Sequence, residues 1–135
     1  MRILYWVDVA VFFVLAGNVV ARIHWSAVSV IGIAMAAAGF VLWILARVQL
    51  GSSFAVTAQA KALVTAGLYA KFRHPVYLFG GVAFTGLFVA WNAKWAVPYV
   101  LFYCLFQWLR TRKEDAVLEQ AYGEVFRQYK ARTWF

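Results

Sequence analysis

The sequence predicts an all-α fold: an integral membrane bundle of about four transmembrane helices, followed by a cytoplasmic amphipathic helix. The chain is 65% hydrophobic and only 13% charged, whereas soluble domains carry roughly 25% charged residues. A helix of about 20 apolar residues crosses a bilayer, and helices pair their own backbone groups in lipid. The apolar runs are residues 3–21, 25–46, 75–93 and 95–109. Residues 1–135 are therefore expected to form a single membrane domain.

The first three runs are each long enough to span a bilayer. Asp8 is the one charged residue in the first run, where an interfacial position is the simpler interpretation and a functional carboxylate is the alternative. No small-residue cleavage site follows this run, which favours a retained helix over a signal peptide. The fourth run has 15 residues. It spans if Lys94 and Arg110 extend to the interfaces, and a re-entrant helix is the alternative.

The basic residues divide unevenly between the two sides of such a bundle. Eleven of the thirteen Lys and Arg residues lie on the side of both termini and the long central segment, and only Arg22 and Lys94 lie on the other. Because Lys and Arg concentrate in cytoplasmic loops, both termini and the candidate site are expected to be cytoplasmic. The net charge of +8 then reflects orientation and contact with anionic membrane lipids, and nucleic acid is not expected as a partner. The residues assigned to lipid contact are Lys61, Lys71, Arg127, Lys130 and Arg132.

Two longer polar segments, residues 48–74 and 110–135, carry the candidate functional residues. The first is rich in small residues and predicts irregular chain with one helical turn. Pro75 suits the first turn of the next helix and disfavours helical geometry at the residue before it. In the second segment apolar residues recur at spacings of three and four. This spacing predicts an amphipathic helix across the end of the bundle, interrupted near Gly123.

The first polar segment ends in reactive side chains. His74 can donate or accept hydrogen bonds near neutral pH, and Tyr69 and Tyr77 combine aromatic faces with hydroxyl groups. This set suits a ligand that contains an aromatic base and polar groups. The alternative is that His74 caps a helix and the tyrosines belong to an interfacial aromatic belt.

The second polar segment begins with an arginine and an acidic pair. Arg110 is placed to clamp a carboxylate or a phosphate. Glu114 and Asp115 either accept hydrogen bonds from a ligand or form a solvated salt-bridge face of little energetic weight. The sequence contains no dinucleotide-binding glycine motif, no P-loop, no nucleophile elbow and no array of metal ligands, so no metal is expected.

Together, LVTAGLYAKFRHPVY and RTRKEDAVLEQAYGEVFRQY resemble the isoprenylcysteine carboxyl methyltransferase family, a branch of the membrane methyltransferases that includes phospholipid methyltransferases. The resemblance covers residues 61–130. The chain departs from the family pattern in its Glu-Asp pair, at Phe79 in place of glycine, and at Thr133 and Trp134 in place of Val-Pro. The matching positions are Gly67, Tyr69, Arg73, His74, Pro75, Tyr77, Arg110, Glu114, Leu118, Gly123, Phe126 and Tyr129.

The resemblance implies S-adenosyl-L-methionine as cofactor and methyl transfer to a lipid-like or prenylated acceptor at the cytoplasmic membrane face, with carboxyl O-methylation expected. It also implies that the site is built from segments 61–77 and 110–130. Arg110 is the implied catalytic residue and binds the acceptor substrate. The implied cofactor-binding residues are Leu63, Val64, Tyr69, His74, Pro75, Tyr77 and Glu114.

Three other functions remain open at this point. One is phospholipid N-methylation, and another is a non-catalytic membrane scaffold. The third is an NADPH-dependent sterol-type reductase, since those enzymes resemble this chain in an RHP-x-Y-like block. The reductases carry RHPNY after a longer set of spans, whereas RHPVY with the KED-x-x-L spacing favours a methyltransferase. The identity of the acceptor and the oligomeric state are left open.

Overall fold

A computed structural model describes residues 2–51 and 63–134, together with the side chains of those residues except 2–6, 92 and 93. Each of the four apolar runs is helical, so the all-α prediction is confirmed. Lys61 and the start of the predicted segment 61–77 lie outside the described residues. The elements are helix α1 (Arg2–Arg22), helix α2 (Ala27–Leu50), a 3-10 turn (Gly67–Ala70) and helix α3 (Pro75–Arg132).

Helix α2 begins with a capping box. The Ser26 hydroxyl accepts from the Ser29 N–H at 3.2 Å, and the Ser29 hydroxyl accepts from the Ser26 N–H at 2.8 Å. Two backbone donors at the start of the helix are thereby paired. Within residues 2–51 and 63–134, α2 is also the one helix long and apolar enough to cross a membrane, with a mean hydropathy of 2.4.

Helix α3 extends without a break from Pro75 to Arg132, but the helix axis changes direction sharply at two places. The rings of Phe88 and Tyr99 stack with centroids 4.6 Å apart, whereas a straight helix would separate these positions by about 16 Å. Pro98 lies in this stretch and lacks the N–H that would continue the helical ladder. The chain therefore forms a helical hairpin. We call residues 75–88 the first arm and residues 99–122 the second arm.

The second reversal lies at Gly123, whose φ of +51° is a left-handed conformation that glycine adopts at little cost. Beyond it, Lys130 returns to 3.5 Å from Asp115 on the second arm, and Phe126 is fully buried. We call residues 123–132 the tail. The predicted helix in this segment and its interruption near Gly123 are both confirmed.

The residues after the tail close onto the loop that precedes α3. Trp134 donates its N–H to the Lys71 carbonyl at 2.7 Å, and its carbonyl accepts from the Arg73 N–H at 3.0 Å. Phe72 and Trp134 accordingly form a parallel β-bridge. Trp134 is one of the positions that depart from the family pattern, and its backbone holds the loop that leads to His74.

Helix α2 packs against the first arm through small residues. A Cβ added to Gly39 would lie 2.5 Å from the backbone nitrogen of Ala83, and one added to Gly86 would lie 2.7 Å from the Gly32 carbonyl oxygen. Backbones approach this closely only where no side chain intervenes. The small residues from Gly32 to Gly39 thus set the distance between α2 and the first arm.

Large apolar side chains remain exposed on the outer faces of the helices. Extensive exposed apolar surface marks contact with a membrane or a protein partner. Combined with the high hydropathy of α2, this surface indicates a membrane-associated protein. Examples are Val11, Phe13 and Val14 on α1, Val30, Ile31 and Val41 on α2, and Leu101, Phe102 and Leu105 on the second arm.

Candidate active site

The candidate site forms where the loop before α3 meets the second arm. His74 is the residue immediately before α3, and the fully buried Pro75 opens the helix. The His74 side chain makes no capping hydrogen bond to that helix. Its Nε2 lies 2.9 Å from Asp115 Oδ1 and its Nδ1 lies 3.7 Å from Glu114 Oε2. His74 is thus the N-cap residue of α3 through its backbone, but its imidazole does not cap the helix and faces the acidic pair instead.

Asp115 forms ion pairs with basic residues of the loop and of the tail. Its Oδ2 accepts from Arg73 Nη1 at 2.7 Å and lies 3.5 Å from Lys130 Nζ, while its Oδ1 pairs with His74. The Asp115 side chain is only 15% exposed, so the interpretation of the acidic pair as a solvated face is wrong. Burial by itself would raise the pKa of Asp115. The hydrogen bond from His74 and the charges of His74, Arg73 and Lys130 outweigh burial and lower the pKa of this carboxyl below its usual value.

The charge on Asp115 is expected to make the fold sensitive to acid. A carboxyl with a lowered folded-state pKa contributes its full stability above its unfolded pKa of about 3.9. That contribution is lost as the pH falls through the folded-state pKa. We expect Asp115→Asn to unfold at a lower temperature than wild type above about pH 5, and this difference to shrink below about pH 4. Thermal unfolding of the detergent-solubilised protein over this range measures it.

Glu124→Gln is the matched control for this experiment, because the Glu124 side chain is 68% exposed and its ion pair is with the exposed Arg127. The control should unfold like wild type at every pH. A destabilisation by Asp115→Asn that does not change with pH would contradict the role given to the charge.

Glu114 joins the second arm to the start of the first. The Tyr77 hydroxyl donates to Glu114 Oε1, and the same oxygen accepts from Arg110 Nε at 3.2 Å. The Arg110 guanidinium lies over the Tyr77 ring, 4.8 Å from its centroid, and His74 stacks on the same ring at 5.9 Å. We call His74, Tyr77, Arg110, Glu114 and Asp115 the polar cluster.

Of the other predicted cofactor residues on the loop, Tyr69 lies near Glu114 of the polar cluster. Tyr69 is buried; its hydroxyl donates to the Ala46 carbonyl at 3.4 Å, and its carbonyl accepts from the Tyr129 hydroxyl at 2.8 Å. Burial raises the pKa of Tyr129 to about 12 and also raises the pKa of Tyr69. Both hydroxyls are therefore neutral donors at physiological pH. Leu63 and Val64 are half-buried, and Val64 packs against the core.

An interhelical ion pair joins α1 to α2. Arg47 Nη2 lies 2.6 Å from Asp8 Oδ2, and the Arg47 guanidinium lies 4.2 Å from the Trp43 ring centroid. The Arg47 side chain is buried, whereas that of Asp8 is half-exposed. Asp8 thus stabilises the bundle beside the loop and is not a member of the polar cluster.

An apolar cavity of about 350 Å³ adjoins the polar cluster. It lies between α2 and the two arms of α3, and its walls include Met35, Leu78, Val82 and Val100. Tyr77 is also a wall of this cavity, while its hydroxyl belongs to the polar cluster. A cavity of this size, mostly apolar with a few polar wall residues such as Tyr77 and Gln107, suits a small amphiphile.

Tyr103 joins the two arms beside this cavity. Its hydroxyl donates to the Tyr77 carbonyl at 2.6 Å. Its ring occupies the space beside Gly81, where an added Cβ would lie 2.5 Å from Tyr103 Cε1. The glycines that follow Phe79 therefore leave room for the Tyr103 ring, which joins the second arm to the first arm beside Gly81.

The cofactor- and acceptor-binding residues implied by the resemblance leave out three residues of this region, although the sequence offers Asp115 as a candidate ligand carboxylate. The signal for Asp115 is its adjacency to Glu114. Lys130 is predicted to contact lipid, and only the glycine at position 123 indicates that the tail turns back to bring it to Asp115. Gln107 is a polar residue inside the fourth apolar run, and a polar side chain in an apolar helix is itself an indication of function.

A family model described as phospholipid methyltransferase matches residues 27–125. This range covers most of the chain, including α2, both arms of α3 and all five residues of the polar cluster. No curated protein matches the chain significantly. The predicted kinship with membrane methyltransferases is thus confirmed, and the chain belongs to the phospholipid methyltransferase family.

Proposed function

We propose that this chain transfers a methyl group from S-adenosyl-L-methionine to a lipid-like acceptor at the cytoplasmic surface of a membrane. The observation that carries the proposal is the position of Tyr77, which borders both the polar cluster and the apolar cavity. A water-soluble methyl donor and a hydrophobic acceptor would meet at such a junction. Membership in a methyltransferase family supports the reaction class.

The polar cluster offers groups that suit S-adenosyl-L-methionine, which supplies a methyl group activated on a positively charged sulfur. Glu114 and Asp115 provide carboxylates for cationic and hydroxyl groups, and the stacked rings of His74 and Tyr77 provide aromatic faces for a cation or a base. Pro75 fixes the turn that presents them. On the loop side, Tyr69, Leu63 and Val64 remain proposed contacts.

Arg110 is the proposed contact for the acceptor headgroup. It lies on the second arm beside the acidic pair, and its side chain is 30% exposed, so a ligand can reach it from solvent. An in-line transfer depends mainly on alignment of the two reactants, and a guanidinium orients a carboxylate with two parallel hydrogen bonds. A carboxylate is ionised at neutral pH and needs no base. These points support carboxyl O-methylation as the first candidate reaction.

The family description favours a phospholipid amine as the second candidate acceptor. An ammonium group must lose a proton before it can attack a methyl group. His74 is the nearest candidate base, and its imidazole faces the acidic pair. In this case Arg110 would contact the phosphate of the acceptor, which guanidinium groups also bind well.

We also propose that all four apolar runs cross the membrane, with both termini and the polar cluster in the cytoplasm. The support is the distribution of basic residues, eleven of thirteen on one side, which follows the positive-inside rule. The contacts among the loop, the second arm and the tail gather several of these basic residues at one end of the bundle. Membrane lipids would then surround the exposed apolar faces.

The purified protein in detergent is expected to bind S-adenosylhomocysteine and not NADPH when both are titrated calorimetrically. Binding of NADPH alone would move the assignment to the reductases. Binding of neither ligand by protein with a cooperative unfolding transition would favour a scaffold. Once cofactor binding is established, transfer of labelled methyl groups to a prenylated cysteine or to phosphatidylethanolamine separates the two acceptor candidates.

A further inference from the structure

Gln107 is a polar side chain on the wall of the apolar cavity. It is 7% exposed and lies one helical turn before Arg110 on the second arm. Its Oε1 is buried, and no described residue donates a hydrogen bond to it. Buried polar atoms in folded proteins almost always have a partner. An acceptor atom left without one beside a cavity indicates that a ligand supplies the donor.

The Tyr103 hydroxyl determines which end of the Gln107 amide is left without a partner. That hydroxyl has a single hydrogen, which it donates to the Tyr77 carbonyl at 2.6 Å. It also hydrogen-bonds with the Gln107 side chain, and in that bond it can act only as the acceptor. The NH₂ group of Gln107 must therefore face Tyr103. The amide oxygen is the end that remains for a ligand.

We infer that the cavity binds a lipid whose polar end presents an N–H or O–H donor to Gln107 Oε1. The hydrocarbon part would contact Met35, Val82 and Val100, while the donor would lie near Tyr77. The identification of this lipid as the methyl acceptor rests on the proposed function. A hydroxyl, an amide N–H and an ammonium group share the required chemistry. An ether or a tertiary amide would leave the oxygen unpaired and bind more weakly.

Competition between matched amphiphiles tests this inference. Detergent-solubilised protein is mixed with equal amounts of oleyl alcohol and oleyl methyl ether, and the bound fractions are measured in one native mass spectrum. A second mixture contains N-oleylacetamide and N-methyl-N-oleylacetamide. In at least one of the two mixtures, wild-type protein should retain about fivefold more of the amphiphile that has an O–H or N–H donor than of the methylated amphiphile that lacks it. The pair that gives the larger ratio distinguishes a hydroxyl from an amide donor.

Gln107→Leu should bring both ratios close to the value set by partitioning alone, because leucine offers no acceptor. Gln107→Met, which keeps the unbranched chain, should do the same and guards against an effect of shape. Met35→Leu is the matched control on the part of the wall that α2 forms, and it should change total lipid retention without changing the ratios. Equal ratios in wild type and both Gln107 variants would overturn the inference.

This experiment contains no cofactor, so its result is independent of the test of the proposed function. If the protein fails to bind S-adenosylhomocysteine but discriminates between the paired amphiphiles through Gln107, the lipid site stands and the methyltransferase proposal fails. If S-adenosylhomocysteine binds and the variants discriminate as wild type does, the role of Gln107 fails and the proposed function stands.

Discussion

Glu114→Ala is expected to lower the affinity for S-adenosylhomocysteine at least about tenfold, since hydrogen bonds to charged groups contribute about 1.5–3 kcal/mol. The substitution removes the carboxylate that accepts from both Tyr77 and Arg110. It also leaves the Tyr77 hydroxyl without its partner in a largely buried site. Isothermal titration of purified wild type and variant measures the change.

Arg110→Ala provides the contrast to this variant. If Arg110 contacts the acceptor rather than the cofactor, affinity for S-adenosylhomocysteine should stay within about twofold, and kcat/KM for the acceptor should fall about 100-fold or more. Glu119→Ala, on the exposed surface of the second arm, should leave both quantities unchanged. An equal loss of cofactor affinity in the Glu114 and Arg110 variants would contradict the division of roles.

Gly39→Ala is expected to destabilise the protein by about 1–3 kcal/mol, the usual cost of overpacking a well-packed contact. The added methyl group would lie 2.5 Å from the Ala83 nitrogen and 2.9 Å from its Cα. These are backbone atoms that cannot rotate away, so α2 and the first arm must separate. The midpoint of thermal unfolding in detergent reports the change.

Gly17→Ala is the matched control for this effect. Gly17 is also inside a helix, but an added Cβ there meets nothing within 4 Å. Alanine stabilises a helix by up to about 1 kcal/mol relative to glycine, so this variant should unfold at the wild-type temperature or above it. A Gly39→Ala variant as stable as Gly17→Ala would show that the small-residue contact does not limit the packing.

The length of the apolar runs was sufficient to predict that each run is helical. In lipid or in a helical core, the backbone N–H and C=O groups of such a run must hydrogen-bond with each other, and a helix achieves this. It was not sufficient to place the helix ends. Helix α2 continues beyond Ala46 to Leu50, since Arg47 pairs with Asp8 and stacks on Trp43 instead of ending the helix. A single charge in a sequence does not reveal whether a partner from another helix will bury it.

The polar cluster was predictable as a set of residues and not as a geometry. His74, Tyr77 and Glu114 come together because the two arms of α3 return to the same level of the bundle. The register of that return is fixed by tertiary contacts such as Phe88 with Tyr99 and Tyr103 with Gly81, which no local pattern encodes. The contact between Lys130 and Asp115 similarly depends on the turn at Gly123.

The shared position of Tyr77 has a thermodynamic consequence for any pair of ligands that occupy the polar cluster and the cavity. A ligand on either side would contact the same ring, so any shift of that ring on binding one ligand would change the free energy of binding of the other. By thermodynamic linkage, the factor by which the first ligand changes the affinity for the second equals the factor by which the second changes the affinity for the first. Ligands in the polar cluster and in the apolar cavity can therefore be energetically coupled through one phenol ring, without the movement of a separate domain.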